Sequence, residues 1–278
     1  MKPGLYIIST PIGNLDDIGI RAQNTLSNVD IIICENPKHS SKLLSKLGIK
    51  KKLYSLHDYN ENKIIKKIEN YAKINSIALI SDAGSPLISD PGYKLVQFYI
   101  NHNLNLTTIP GPSSVICSLQ LSGMPTDSFK FLGFVPKTKN KIETFIDSLS
   151  EEKQTSIFFV SSHKLILCLN ILDKKLGNKN ICVCKELTKI NERVFRGSAK
   201  NIIEEINNNK KYSLGEFVII IKGTNKDKEG SNYLSSSINQ QIKKLLKKYS
   251  LTDVVEIVHK LTNISKKIIY KKVLDQKK

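Results

Sequence analysis

Residues 77–92 read Ile-Ala-Leu-Ile-Ser-Asp-Ala-Gly-Ser-Pro-Leu-Ile-Ser-Asp-Pro-Gly. Ile77 to Ile80 form an unbroken apolar run, the signature of a strand covered on both sheet faces. The run stops at Ser81-Asp82-Ala83-Gly84-Ser85-Pro86, whose carboxylate, small residues, glycine and proline favour an open loop over a helix. Ligands of open α/β sheets bind in the crevice outside the carboxyl ends of the strands. Gly84 lets a ligand approach the backbone, and Asp82 is placed to accept hydrogen bonds from hydroxyls such as a diol. Asp90-Pro91-Gly92 closes the loop with a second turn. The competing reading is an ordinary connection whose Asp and Ser residues cap the next helix.

The same alternation runs outward on both sides. Leu5–Ile8 reads as a strand ending in the turn-rich Ser9-Thr10-Pro11-Ile12-Gly13-Asn14, followed by a helix over Asp17–Asn28. Ile31–Cys34 is a second buried strand delivering Glu35-Asn36-Pro37-Lys38, and a helix from His39 to Leu47 stops at Gly48. A short strand, Leu53–Leu56, leads to His57-Asp58-Tyr59-Asn60-Glu61, with Asn60 as the expected cap of a helix over 61–73. After the organising strand, Tyr93, Val96 and Ile100 mark the expected apolar stripe of a helix. Leu104–Ile109 then ends in Pro110-Gly111-Pro112-Ser113-Ser114, a tight turn presenting hydroxyls and backbone N–H groups at a helix start. Repeated β-α alternation predicts a parallel sheet over 1–121.

Residues 122–127 read as a linker, and 127–223 as a second α/β domain with a mixed sheet. Its strands are expected at Phe129–Val135, Ser156–Val160, Ile181–Cys184 and Gly215–Ile221. Residues 224–237 are polar and read as a second linker. Residues 238–278 read as a lysine-studded helical tail, with Thr252 able to cap a helix carrying Val255, Val258 and Leu261. The fold class is therefore α/β: two α/β domains and a small helical tail.

The chain has 278 residues and a net charge of +18, which favours an anionic partner such as nucleic acid. Lys, Asn and Ile recur throughout, so compositional drift also accounts for part of that charge. Five scattered cysteines among apolar residues, Cys34, Cys117, Cys168, Cys182 and Cys184, fit a reduced intracellular protein without a metal site. No apolar run is long enough to span a bilayer, so a cytoplasmic protein without a membrane partner is expected.

STPIGNLDDI, a glutamate at the second strand end, LHDYNE, ISDAGSPLISDPG, PGPSS, GMPTDSFKFLGFVPK and KELTKINERVFRG occur in this order. Together they resemble the small-subunit ribosomal RNA methyltransferase I branch of the tetrapyrrole methylase superfamily, over nearly the whole chain. The resemblance implies S-adenosylmethionine bound in a cleft between the two α/β domains of a homodimer. It implies methylation of the ribose 2′-hydroxyl of a cytidine in the decoding region of 16S rRNA, with small-subunit rRNA or the 30S subunit as partner. It puts cofactor contacts at Ile12, Asp82, Ala83, Gly84, Ser85, Ile88, Ser113, Ser114, Val160 and Lys189.

Three places depart from the family pattern. Glu35-Asn36-Pro37-Lys38 replaces Glu-Asp-Thr-Arg, Val160-Ser161-Ser162-His163-Lys164 replaces Glu-Ser-Pro-His-Arg, and Lys185 replaces an arginine. Loss of carboxylate and guanidinium groups weakens bidentate contacts.

A ribose hydroxyl attacks well only if its proton is taken, so a strand-end carboxylate or imidazole is needed nearby. Glu35, His57, Glu61 and Glu186 are the candidates. Lys137, Lys139, Lys141, Lys185 and Arg196 are candidate phosphate contacts. The competing functions are methylation of a small tetrapyrrole and a non-catalytic role in RNA binding or ribosome assembly.

Overall fold

The computed structural model describes residues 1–224, 242, 244–246, 248–262, 265–266, 269–270 and 273–274. The chain divides into two compact units, Met1–Gly223 and Thr224–Lys278.

The first unit holds two five-stranded sheets. Strands β1 (Gly4–Ile8), β2 (Ile31–Cys34), β3 (Leu53–Ser55), β4 (Ser76–Ile80) and β5 (Leu106–Ile109) pair in the order β3-β2-β4-β1-β5, all parallel. Every residue of β4 is buried, as its apolar run requires. Alternation along β4 divides its side chains between two helical layers. Ala78 and Ile80 pack with Ala22 and Leu26 of α1 (Ile20–Asn28) and Leu44 of α2 (Pro37–Lys46). Ile77 and Leu79 pack with Ile64 and Ile68 of α3 (Glu61–Ala72) and with Leu95 and Tyr99 of α4 (Tyr93–Asn101). The helices after β1 and β2 thus lie on one face and the helix after β4 on the other. A crevice opens where such connections diverge, at the carboxyl end of β4.

The second sheet is mixed. Strands β6 (Phe129–Phe134), β7 (Thr155–Ser161), β8 (Ile181–Lys185), β9 (Arg193–Gly197) and β10 (Glu216–Ile221) take the order β6-β7-β10-β8-β9. Only the β6–β7 pair is parallel. One face of this sheet buries Phe158, Val183 and Ile219 under α6 (Lys139–Ser148), α7 (Ser162–Leu176) and α8 (Ala199–Asn207). The other face, with Ile157, Cys182, Cys184, Val218 and Ile220, meets Ile12 and the Val115–Leu119 side of α5 (Ser114–Ser122). That shared cluster joins the two sheets. Cys182 and Cys184 face it together, with their Sγ atoms 3.9 Å apart.

Several boundaries differ from the sequence expectation. The helix expected from Asp17 starts at Ile20, because Asn14 accepts a bond from the Asp16 N–H and caps a separate 3-10 turn over Leu15–Asp17. Asn60 precedes α3 but does not cap it with its side chain. Its Oδ1 accepts from the His57 N–H at 2.9 Å and its Nδ2 donates to the Ser55 carbonyl at 3.0 Å. In α4 the buried residues are Leu95 and Tyr99; of the expected stripe Val96 packs against them, while Tyr93 and Ile100 face solvent. Leu95 and Tyr99 are themselves four residues apart, so helical spacing alone does not fix which side meets the sheet.

In the second unit, helix α9 (Leu251–Thr262) buries Val254, Val255 and Val258 against Ile242, Ile269 and Val273. Ser250, rather than Thr252, accepts the capping bond, from the Asp253 N–H at 3.2 Å. Leu261, expected on the buried face, is exposed. The polar stretch 225–237 and residues 263 and 264 of the expected helical tail lie outside the described residues. Among the described residues no helix is long and apolar enough to cross a membrane.

Candidate functional site

Three strand-end turns of the first sheet interlock. Thr10 and Gly84 form a two-bond antiparallel bridge, Thr10 N–H to the Gly84 carbonyl at 2.8 Å and Gly84 N–H to the Thr10 carbonyl at 3.0 Å. Ser9 and Ser85 share a hydroxyl hydrogen bond of 2.9 Å, and Ser85 Oγ reaches the Pro112 carbonyl at 3.2 Å. Gly84 takes φ +79°, and a Cβ there would lie 3.2 Å from Ile12 Cγ2. The left-handed backbone favours glycine here, and any side chain would press on Ile12.

Over these turns lies a cavity of about 390 Å³, within the usual range for small-molecule sites. Its walls come from both sheets. The first sheet supplies Ile12, Asp82–Ser85, Ile88–Asp90 and Ser113–Val115, and the second supplies Phe134, Phe159–Ser162, Cys184, Glu186, Leu187 and Gly215–Val218. All but one of the expected cofactor contacts line it: Ile12, Asp82, Ala83, Gly84, Ser85, Ile88, Ser113, Ser114 and Val160. The exception is Lys189. Its ammonium is paired with Glu186 at 3.1 Å and Glu216 at 2.9 Å, and it belongs to an adjoining groove with Gly13 and Thr188.

That groove is a clasp between the two halves of the unit. The Asn14 N–H donates to Thr188 Oγ1 at 2.9 Å. A Cβ on Gly13 would lie 2.5 Å from Lys189 Cγ, 2.6 Å from Thr188 Oγ1 and 2.8 Å from the Leu187 carbonyl. Gly13→Ala is therefore expected to cost about 1–3 kcal/mol by overpacking, read as a melting temperature roughly 2–10 °C lower. Unchanged melting would show that the clasp yields freely.

The candidate bases separate sharply. Glu61 is buried, with Oε1 accepting from the Gly92 N–H at 2.5 Å and Oε2 from the Lys94 N–H at 3.1 Å. It caps α4 and is outside the cavity wall. His57 is exposed beyond β3, the edge strand, and also outside the wall. Glu186 does line the cavity, but Oε1 accepts from the Glu216 N–H at 2.9 Å and from Lys189. Burial pushes its carboxyl up, yet these donors outweigh burial and hold it below the usual range. A carboxylate so satisfied is a weak proton acceptor.

Glu35 is half-buried at the end of β2, and burial, then the charges of Asp82 and Asp58, push its carboxyl up. It is not part of the wall. The wall instead contains Asp90, read from sequence only as a turn residue. Burial, then the neighbouring charges of Glu35 and Asp82, raise its carboxyl to about 6. Leu87 at φ 74° and Ser89 at φ 70° fold the loop that carries it, and the Glu61 bond to Gly92 pins the end of that loop. Asp82 Oδ1 accepts from the Asn36 N–H at 3.2 Å.

Asn36 caps α2 by accepting from the Lys38 and His39 N–H groups, with Pro37 in the first turn. The departure at Glu35-Asn36-Pro37-Lys38 therefore preserves a helix start. At Val160–Lys164, Ser161 precedes α7 and its Oγ lies 3.3 Å from His163 Nε2.

The basic candidates also separate. Lys137, Lys139 and Lys141 are exposed, and the last two sit in the first turn of α6 rather than in a loop. Lys185 is buried, with its ammonium 3.4 Å from the Asn191 carbonyl. Arg196 donates through Nε, at 3.1 Å, and Nη2 to the Leu121 carbonyl, closing the end of α5. Lys185 is thus held inside the protein, whereas Arg196 is exposed and keeps a solvent-facing guanidinium engaged at the Leu121 carbonyl. Among the described residues no three His, Cys, Asp or Glu side chains are grouped to hold a metal ion.

The family model for tetrapyrrole (corrin/porphyrin) methylases matches residues 4–203. A Rickettsia prowazekii protein named ribosomal RNA small subunit methyltransferase I is 46% identical over 80% of this chain and 79% of its own length. One of the same name from Haemophilus influenzae is 35% identical over 96% of this chain and 94% of its own. The crystal structure of uroporphyrin-III-C-methyltransferase from Thermus thermophilus superposes with a TM-score of 0.56 at 13% identity, over 79% of this chain and 94% of that one. At that identity the likeness concerns the fold alone.

Proposed function

Because the chain belongs to the ribosomal RNA small subunit methyltransferase I branch of the tetrapyrrole methylase family, we propose that it methylates a ribose 2′-hydroxyl of small-subunit rRNA. The target we assign is a cytidine in the decoding region of 16S rRNA, and the methyl donor is S-adenosylmethionine. The enzyme would act as a cytoplasmic homodimer. The observation that carries this reading is the convergence of the Ile12, Gly84 and Ser113 turns on one cavity that the second sheet closes.

The residues present suit that cofactor. Gly84 offers a backbone surface free of a side chain, and Asp82 offers a carboxylate to a ribose diol. Carboxylates at the cavity wall also complement a positive sulfonium in a chain that is otherwise strongly basic. When bound, S-adenosylmethionine supplies an electrophilic methyl group on a sulfonium that departs as a neutral thioether. The protein's tasks are then to align the hydroxyl oxygen with that methyl group, to exclude water and to receive one proton. Asp90 is the carboxylate we assign as acceptor of the 2′-hydroxyl proton, its proton affinity raised by burial and then by the charge of Glu35.

Incubating the purified protein with small ribosomal subunits and methyl-labelled S-adenosylmethionine is expected to label rRNA on a ribose. Label on a tetrapyrrole in place of rRNA would favour the small-molecule reading. Cofactor binding without transfer to either would favour a non-catalytic protein.

A further inference from the structure

Strand β6 is irregular at its carboxyl end. Phe131 pairs with Ile157 and Phe134 with Phe159, so three steps on β6 span two on β7. The extra residue is a β-bulge, with Gly133 at φ +67°. A bulge reverses the alternation of side chains beyond it and re-aims the next one. Phe131 and Phe134 consequently fall on one face, where both rings meet Phe159 edge-on, at 5.0 and 5.1 Å between centroids. Because β6 is an edge strand, the re-aimed ring stands at the border of the sheet.

Three aromatic rings belong to the cavity wall. Phe217 is 2% exposed and serves the core. Phe159 is partly buried under the two flanking phenylalanines. Phe134 is 62% exposed, an expensive placement for a phenylalanine unless something covers it. The preceding residue, Gly133, approaches the loop carrying Asp90, since a Cβ there would lie 3.9 Å from Ser89 Oγ, and Phe134, Ser89 and Asp90 line the same cavity. On the other side of Phe134 the chain runs directly into exposed Lys137, Lys139 and Lys141.

We propose that Phe134 is the platform on which the base of the methylated nucleotide stacks, an inference that rests on the rRNA reading above. A ribose hydroxyl reaches a cavity between strand ends only when its nucleotide leaves the base stack. The unstacked base then needs an aromatic face, and exposed rings beside cations are how single-stranded RNA is held. Phe134 combines an exposed ring, an edge held by Phe159 and adjacent lysines. The expected cofactor contacts that line the cavity lie on the turns of the first sheet and on Val160 of β7. The base therefore stacks at β6, and its ribose faces the Asp90 loop.

The test compares wild type with Phe134→Ala, Phe134→Leu and Phe134→Trp. Methyl transfer to small subunits is followed at varied subunit concentration, and S-adenosylmethionine affinity is measured by calorimetry. Phe134→Ala and Phe134→Leu are expected to lower kcat/KM for subunits about 10- to 100-fold. Phe134→Trp should remain within about threefold of wild type, because it keeps an aromatic face. Cofactor affinity should stay within about twofold in all three. The proposal is overturned if Phe134→Ala matches wild type, if leucine restores activity as well as tryptophan does, or if cofactor affinity falls in parallel with transfer. Failure of the wild type to label rRNA would overturn the functional reading itself, and this inference with it.

Discussion

Asp90→Asn lowers kcat for rRNA methylation by about 10²- to 10⁴-fold, the usual contribution of a positioned general base. Asparagine keeps the size and most hydrogen-bonding capacity of aspartate but cannot accept the 2′-hydroxyl proton. Cofactor affinity and KM for subunits should change little, because the loss falls on the proton transfer. Wild-type kcat should rise with pH, with its midpoint near the Asp90 value of about 6, and then level off. The variant should lack that rise.

A stability measurement guards against a trivial explanation. The folded-state carboxyl of Asp90 is raised above its ordinary 3.8 by burial and by the charges of Glu35 and Asp82. The native state therefore binds protons more tightly than the unfolded chain does. Its contribution is favourable below the ordinary value and is lost as pH climbs from about 4 to about 6. At neutral pH the ionised carboxylate is thus a liability, and Asp90→Asn should melt at an equal or higher temperature. A variant that loses activity and melts lower would argue that Asp90 merely holds the loop. Full activity in Asp90→Asn would remove it from the mechanism altogether.

How much of this site could be read in the sequence depends on which interactions define each part. The β4 strand was legible because Ile77 to Ile80 carry their burial in composition alone. The turns at Gly84 and Ser113 were legible because glycine, proline and serine have local conformational meaning. Asp90 looked like turn punctuation, since its raised proton affinity comes from burial in the folded chain and then from Glu35, on a different strand end 55 positions earlier. Phe134 was legible as a strand residue but not as a cavity residue, because a bulge is a property of pairing with β7. Which side of α4 is buried likewise rested on tertiary packing. Tyr93 and Ile100 have helical spacing, yet Leu95 and Tyr99 are the ones that meet Leu79 and Ile77. The second-sheet wall at Gly215–Val218 required knowing which face of β10 meets α5.

Glu61→Ala is expected to destabilise the protein by about 2–4 kcal/mol, the combined effect of a lost helix cap and buried donors left without a charged acceptor. One carboxylate side chain serves two helices. It begins α3 and satisfies the Gly92 and Lys94 N–H groups at the start of α4, so it sits near the positive ends of both helix dipoles. At 4% exposure, water cannot easily take its place. Glu61→Gln keeps a carbonyl oxygen for one donor but turns an N–H₂ group toward the other, so it should fall between Ala and wild type. Because Gly92 is two residues beyond Asp90, Glu61→Ala should also lose methyl transfer even at temperatures where it remains folded. The decisive comparison is Glu61→Gln against Asp90→Asn. If Glu61 were the proton acceptor, Glu61→Gln would abolish turnover with little change in melting, whereas a capping role predicts lowered melting with most turnover retained.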